Sequence, residues 1–347
     1  MFAVTTFGES HGPALGVIVD GVPAGLEIDP SFIQSEMDRR KPGQSAMTTA
    51  RQESDTVEIL SGVFEGKSTG TPIAMMLRNA DHHSTDYSNI ANTFRPGHAD
   101  FTFEKKFGLR DYRGGGRSSG RETAARVAAG AIAKIFLKES GIIIRACTDQ
   151  IGNIRAEQFD WSSVENNPVR TADPAAAEAM FNEVKAATKD GDSIGGGICC
   201  EILNLPIGLG EPVFDKFDAM LAHAMLSLGG VKGIEFGAGF SVCSMRGSEN
   251  NDPLQPGDHP FVSNNAGGIL GGISNGEAIT FELAVKPTPS ISAPQSTINN
   301  SGEAVTLEIS GRHDPCIVPR IVPVVEAMAA LVLADAALRN RATRLQG

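Results

Sequence analysis

Tyr112-Arg113-Gly114-Gly115-Gly116-Arg117-Ser118-Ser119-Gly120-Arg121-Glu122-Thr123 passes from three consecutive glycines into a helix predicted over Gly120 to Ser140. Within that helix Val127, Ala131, Ile132, Ile135 and Phe136 share one face, and Lys134 and Lys138 suit its negative C-terminal end. Gly141 supplies a stop. Ser119 and Glu122 have the Ser-x-x-Glu spacing of a capping box, so the glycine loop meets a helix N-terminus. Free N–H groups, the positive end of the dipole and flanking guanidinium groups together make a seat for phosphate. The charge pattern agrees. From Lys105 to Arg126, seven basic residues (Lys105, Lys106, Arg110, Arg113, Arg117, Arg121, Arg126) face two acidic ones, in a chain of formal net charge -11. A glycine turn before a basic, solvated helix accounts for the same residues. The glycine order is not that of a dinucleotide fingerprint.

Outward from this segment, short β-type runs recur at Leu15 to Val19, Val57 to Val63, Ile142 to Ala146, Ile198 to Leu203, Ala278 to Val285 and Val305 to Ile309. Further helices are predicted over Ser31 to Arg40, Ala175 to Lys189 and Val324 to Arg341, the last entered through Pro323. Strands and helices do not alternate as in a doubly wound parallel sheet, so the expected class is layered α+β with antiparallel sheets. Glycine clusters mark tight turns rather than linkers, and no stretch reads as a tether between domains.

With 41% hydrophobic and 20% charged residues, composition fits a globular protein. Apolar runs such as Ala327 to Ala334 are bounded by Glu326 and Asp335, short of the ~20 residues of a membrane span, so no membrane partner is expected. Glu9 and His11 interrupt any secretory leader, which makes the cytoplasm the expected compartment. The acidic balance argues against a nucleic-acid partner, since binding a polyanion needs a broad basic surface. Five cysteines without Cys-x-x-Cys spacing indicate neither a disulfide framework nor a zinc site.

Two further patterns are set aside. Gly66-Lys67-Ser68 ends like a P-loop, but Ser61 stands where its first glycine belongs. Asp81-His82-His83 with Asp86 could suggest a metal, yet adjacent histidines on a strand point to opposite faces, and a polar loop explains them; no metal is expected. Two histidines do sit in glycine-bounded turns, at Gly8-Glu9-Ser10-His11-Gly12 and Arg95-Pro96-Gly97-His98-Ala99-Asp100. An imidazole with an ordinary pKa of ~6.5, exposed on such a turn, can exchange a proton with a ligand near neutrality. A structural histidine is the alternative for either one.

The segments Thr5 to Gly12, Tyr112 to Thr123 and Gly311-Arg312-His313-Asp314-Pro315-Cys316 resemble signatures of the chorismate synthase family. Arg95 to Asp100, Gly191 to Gly195, Asn265 to Ile269 and Lys286 to Ser290 follow the same family in order, so the resemblance runs from Thr5 to about Arg339. It implies one domain over 1–347, a β-α-β sandwich with antiparallel sheets around central helices, and a homotetramer. The implied reaction is the 1,4-elimination of phosphate from 5-enolpyruvylshikimate 3-phosphate to chorismate, with reduced FMN required and no net redox change. NADPH is implied only as an indirect reductant.

Carried over by motif, the resemblance gives catalytic roles to His11 (the departing phosphate), His98 (the reduced flavin) and Asp314 (proton movement), supported by Ser10 and Ser119. It assigns FMN to Arg117, Ser118, Ser119, Gly229, Gly230, Gly271, Lys286, Pro287, Thr288, Pro289, Ser290 and Arg312. Arg40 contacts the substrate in this scheme, with Arg51, Arg113 and Arg121 as further substrate arginines. Departures are Gly120, Gly229-Gly230 and Ala46, the last where arginine is common; Arg39, Lys41 or Arg51 could compensate. A flavin reductase shares the flavin seat without needing cations for a second anion, and a binding scaffold without activity is a further alternative.

Overall fold

The computed structural model describes residues 1–43, 54–79, 90–257, 260–309 and 314–344. Its strands form two main antiparallel sheets and three two-stranded ribbons. The first holds β1 (Ala3–Gly8), β2 (Ala14–Asp20), β3 (Val57–Ile59) and, after the small hairpin β4 (Val63–Phe64) and β5 (Lys67–Ser68), β6 (Ile73–Arg78), in the order β1-β2-β6-β3. The second holds β7 (Ile143–Ile151), β8 (Ile154–Arg155), β9 (Gly196–Leu203), β10 (Val231–Phe236) and, after the pair β11 (Ile269–Leu270) and β12 (Ile273–Ser274), β13 (Ile279–Val285), in the order β10-β13-β9-β7-β8. A last hairpin joins β14 (Gln295–Ile298) to β15 (Ala304–Leu307). Alternation explains β2: Leu15, Val17 and Val19 point into the core while Ile18 faces out. On the second sheet Cys147 stands opposite Cys199 with their sulfurs 3.1 Å apart, and both are free thiols.

The helices are α1 (Pro30–Arg40), α2 (Asp100–Phe107), α3 (Thr123–Lys138), α4 (Pro174–Lys189), α5 (Phe217–Leu226), α6 (Gly247–Asn250) and α7 (Val318–Asn340). Asp29 and Asp173 cap α1 and α4, each followed by proline in the first turn. Helix α3 packs on β1, β2 and β6, α7 packs on β7 and β9, and the two helices make the most extensive contact between any two elements. Their closeness depends on Gly130, where an added β-carbon would lie 2.3 Å from Ala327 Cβ. One hydrophobic cluster runs from Phe2 to Ala334 and draws on both sheets.

Some expected boundaries move. The predicted helix from Gly120 begins as a 3-10 turn over Gly120–Glu122 and becomes α-helical at Thr123. Helix α7 starts at Val318, six residues before the predicted entry, so Pro319 lies in the first turn and Pro323 inside. Proline 323 has no N–H for the carbonyl of Pro319, and Arg170 Nη1 donates to that carbonyl at 2.9 Å instead. Lengthened in this way, α7 is apolar enough to cross a membrane by composition, yet 61% of its most apolar window is buried inside the chain, the mark of a core helix. The strand predicted over Val57 to Val63 ends at Ile59, and Gly62, at φ 79, turns the chain where a β-carbon would meet Pro72 O at 2.6 Å.

Charge enters this core as a linked cluster. Glu326 of α7 accepts from Arg39 of α1 (Nη1–Oε2 2.6 Å) and from Lys134 of α3 (2.6 Å), and from the backbone N–H of Ala146 at 3.1 Å. Lys134 also donates to Glu36. Lys134 is therefore a half-buried bridge between α1, α3 and α7, where the sequence suggested a cation at a helix end.

Candidate active site

Consecutive glycines allow close approach, and a different side chain packs against each of the three. All have positive φ: 64° at Gly114, 85° at Gly115 and 52° at Gly116. A β-carbon on Gly114 would lie 2.3 Å from His11 Cε1, one on Gly115 3.0 Å from His98 Cε1, and one on Gly116 2.7 Å from Glu9 Oε2. The loop is thus a bare backbone platform against which both singled-out histidines rest. Arg117 ties it to β1, donating from Nη1 to Gly8 O at 3.1 Å and from Nη2 to Thr6 Oγ1 at 2.6 Å. Ser118 Oγ closes the turn on Gly115 O at 2.7 Å. Ser119 is an N-cap whose Oγ accepts from Arg121 N–H at 3.3 Å. The reciprocal half of the predicted capping box is replaced, because Glu122 accepts from Thr6 Oγ1 and Arg126.

Each histidine has its own support. Ser10 Oγ lies 3.1 Å from His11 Nδ1, and both residues are buried. The backbone around them is clamped by Asn79, whose Nδ2 donates to Glu9 O (3.0 Å) and Gly12 O (2.8 Å). His98 Nδ1 lies 2.9 Å from Asp100 Oδ1, and Arg95 grips the same carboxylate through Nε (2.7 Å) and Nη2 (2.8 Å). Arg95 Nη2, which only donates, lies 3.1 Å from the same Nδ1, but the carboxylate, which only accepts, is nearer, so the proton is assigned to Nδ1, leaving Nε2 without one while the ring is neutral. Burial pushes the His98 pKa below its ordinary 6.5, against the hydrogen bond to Asp100 and with the help of Arg95. Asp100 is held far below the usual carboxylate range: burial opposes this, but the bonds from Arg95 and His98 outweigh it.

Beside the histidine turns stands a cluster of arginines. Arg40 is buried and donates to Gly120 O (2.6 Å), Thr123 Oγ1 (3.2 Å) and Asp55 Oδ2 (3.3 Å). Arg121 is buried too, paired with Asp55 Oδ1 and donating from Nε to Asn79 Oδ1 at 3.0 Å. Arg320 of α7 pairs with Asp314. Burial, then Arg320 and Arg121, push the Arg40 guanidinium below the usual arginine range, with Asp55 and Asp314 opposing. Arg113, by contrast, is exposed and paired with Asp111 at 2.9 Å.

The run after β13 reaches the same place. Lys286 Nζ donates to Gly97 O at 2.5 Å, next to His98, while its backbone N–H donates to Gly230 O at 2.9 Å. Pro289 lies against Gly97 as well. Ser193 Oγ braces Thr288 O at 2.7 Å, and Ile194 N–H donates to Pro315 O at 2.9 Å, next to Asp314. Thr288 Oγ1 is buried with no hydrogen-bond partner among the described residues, and Ser290 is buried. Pro287 packs on Gly195, and Gly230 packs on Ile317, while an added β-carbon on Gly229 would meet nothing within 4 Å.

Other expected residues stand apart or outside the description. Gly271 occupies the β11–β12 turn, and no described contact joins it to the histidine turns. Arg51, Ala46, Arg312 and the Asp81-His82-His83-Asp86 group lie outside the described residues. The basic run from Lys105 to Arg126 disperses: Arg110 donates to the carbonyls of Ile90, Ala91 and Thr93, and Arg126 to Glu122 and Ser227. A cavity of about 320 Å³ lined by Phe2, Phe217, Met220, Leu331 and Arg339 shares no lining residue with the histidine platform. Asp55, Asn79 and Arg320 were not singled out from sequence; the partners of Asp55 and Asn79 are distant in the chain, and Arg320, though only six residues from Asp314, carries no motif that marks it.

The family model for chorismate synthase matches residues 2–338. A chorismate synthase of Cytophaga hutchinsonii is 56% identical over 352 residues, covering 99% of this chain and 98% of its own. That of Christiangramia forsetii is 53% identical over 349 residues, with the same coverage. A solved structure described as the crystal structure of chorismate synthase superposes with a TM-score of 0.78 at 32% identity, covering 97% of this chain and 92% of that one.

Proposed function

The chain belongs to the chorismate synthase family, and from that premise we propose that the glycine platform with His11 and His98, flanked by Arg40 and Arg121, is where phosphate leaves 5-enolpyruvylshikimate 3-phosphate. Members of this family are lyases that form chorismate in the shikimate pathway. One observation carries the placement: His11 and His98, 87 positions apart, rest on adjacent glycines, Gly114 and Gly115.

The residues suit reduced FMN. The orphaned Thr288 hydroxyl, buried in the run Lys286 to Ser290, is a feature a flavin with its phosphate could complete. Arg117, Ser118, Ser119, Gly229, Gly230 and the run Lys286-Pro287-Thr288-Pro289-Ser290 are the described residues we assign to it, with Gly271 and Arg312 retained from the family pattern. When bound and reduced, FMN would lend electron density to the substrate as phosphate departs and recover it as the ring hydrogen is lost, so that no net redox change results. NADPH enters only as the indirect reductant.

Each protein group then has a task. Arg40 and Arg121 hold the substrate's anionic groups, with Arg51 and Arg113 as further contacts. His11, its ring steadied by Ser10, gives a proton to the departing phosphate, whose charge the guanidinium groups offset. His98, its Nδ1–H directed at Asp100, presents Nε2 as a proton acceptor and later a donor beside the flavin position. Asp314, paired with Arg320, assists proton movement there, and Ser119 supports the glycine turn.

Anaerobic protein with reduced FMN should release inorganic phosphate and chorismate from the substrate in equal amounts. NADPH oxidation without phosphate release would instead favour a flavin reductase. We extend the proposal to a cytoplasmic homotetramer of single-domain chains, each a β-α-β sandwich over 1–347. Contacts of α3 with one sheet and α7 with the other, and the continuous core, support the layered domain. Exposed Phe214 and Phe240 offer surface for assembly to cover, and a light-scattering mass of one chain would count against it.

A further inference from the structure

We infer that Asp55 is a positioning residue for the reaction: its one carboxylate fixes the mutual placement of the Arg40 and Arg121 guanidinium groups and, through Arg121 and Asn79, the turn that carries His11. The inference rests on the reading of those two arginines as substrate contacts.

Asp55 is fully buried, and its two oxygens serve different cations, Oδ1 taking Arg121 Nη1 and Oδ2 taking Arg40 Nη1 at 3.3 Å. Arg40 comes from the end of α1 and Arg121 from the 3-10 turn before α3, so the carboxylate joins elements remote in sequence. From Arg121 the chain of bonds continues: Nε to Asn79 Oδ1 at 3.0 Å, then Asn79 Nδ2 to Glu9 O and Gly12 O, the two carbonyls flanking Ser10 and His11. The backbone at Asp55 is itself forced, with φ 47 in the left-handed region that a non-glycine residue seldom adopts. Gln34 of α1 holds it there, donating from Nε2 to Asp55 O at 3.3 Å and accepting from Val57 N–H at 3.3 Å.

Charge makes the inference testable. Among the described residues, the ion pairs of Asp55 with Arg40 and Arg121 and of Asp314 with Arg320 set three cations against two anions. Asp55→Asn raises that excess from one to two, so charge attraction alone predicts tighter substrate binding. Positioning predicts the reverse, because two like-charged guanidinium groups lose the acceptor that holds them together.

The test uses full-length Asp55→Asn and Asp55→Glu with reduced FMN under anaerobic conditions, alongside Arg40→Ala and Arg121→Ala. Flavin affinity and melting temperature are measured for each. Expected is a fall in kcat/KM of about 10- to 100-fold in both Asp55 variants, with a raised KM and FMN affinity within about 2-fold of the parent. Asp55→Glu keeps the charge and so serves if the asparagine variant does not fold. Parental or improved kcat/KM in a folded Asp55 variant, while the arginine variants lose substrate binding, overturns the positioning role and leaves the site reading intact. Unchanged substrate kinetics in Arg40→Ala and Arg121→Ala overturn both.

Discussion

The imidazole of His11 lies on the backbone of Gly114, so closely that a β-carbon there would stand 2.3 Å from Cε1 and 2.5 Å from Nδ1. Gly114→Ala therefore does two separable things: it strains a backbone at φ 64, and it displaces the ring. Gly66 has φ 77 with nothing within 4 Å of an added β-carbon, so Gly66→Ala imposes strain alone. Both variants should lose stability by about 1–3 kcal/mol. Only Gly114→Ala should also lose turnover, by roughly 10², since an ångström of misplacement costs about that much. Steady-state kinetics at saturating FMN decides it, and equal turnover in the two variants would remove His11 from the chemistry.

Asp100 faces His98 with a carboxylate that Arg95 also grips, and its charge and hydrogen bond raise the His98 pKa against burial. Burial wins, so the ring in the folded protein should titrate below its ordinary 6.5. Replacing Asp100 by Asn removes the opposing influence, and the midpoint should fall further. Loss of the fixed Nδ1–H should also lower turnover by about 10² to 10⁴. NMR titration of the His98 ring in both proteins provides the check. A midpoint that rises in Asp100→Asn would show that the carboxylate does not act on this ring as described.

Features legible in the sequence were those with local causes. The glycine run, the Ser119 cap and the helix behind it depend on residues a few positions apart, and so do the turns that carry His11 and His98, although the exposure expected of those rings fails for His11, which is buried. What escaped depends on distant partners. Lys134 reads as a cation near a helix end, but its partners Glu36 and Glu326 lie 98 and 192 positions away. Seven basic residues between 105 and 126 read as one anion site, whereas folding sends Arg110 to backbone carbonyls and Arg126 to Ser227. Pro323 looked like a helix entry because nothing nearby reveals that Arg170 satisfies the carbonyl it leaves free.

Glu326 carries a prediction about acid stability. Burial alone raises its pKa, but Lys134 and Arg39 outweigh that and bring it to about 2, from an ordinary 4.5. A depressed folded-state carboxylate contributes stability that is complete above the unfolded value, ~4.5, and is lost as pH falls toward about 2. Lys134→Met should cost about 3 kcal/mol at neutral pH, because it leaves the buried Glu36 and Glu326 to share Arg39 alone. The same variant should lose less additional stability between pH ~4.5 and ~2 than its parent. Urea unfolding across that range tests both statements, and parallel pH curves would refute the second.

At the centre of the helix pair, Gly130 of α3 sets intrinsic propensity against packing. Alanine is the better helix former by about 1 kcal/mol, so Gly130→Ala would stabilise an isolated helix. Here the added carbon meets Ala327 Cβ at 2.3 Å, its Cα at 2.5 Å and its carbonyl oxygen at 2.9 Å. Backbone atoms cannot rotate away, so α7 must move, and it carries β7 and β9 with it. The expected result is a net loss of about 1–3 kcal/mol in chemical denaturation, with packing overriding propensity. Adding Ala327→Gly removes only the contact with Cβ and leaves those with Cα and the carbonyl oxygen, so the double variant should recover part of the loss and not all of it. A gain of stability in the single variant would mean the two helices are free to separate, contrary to the packing described.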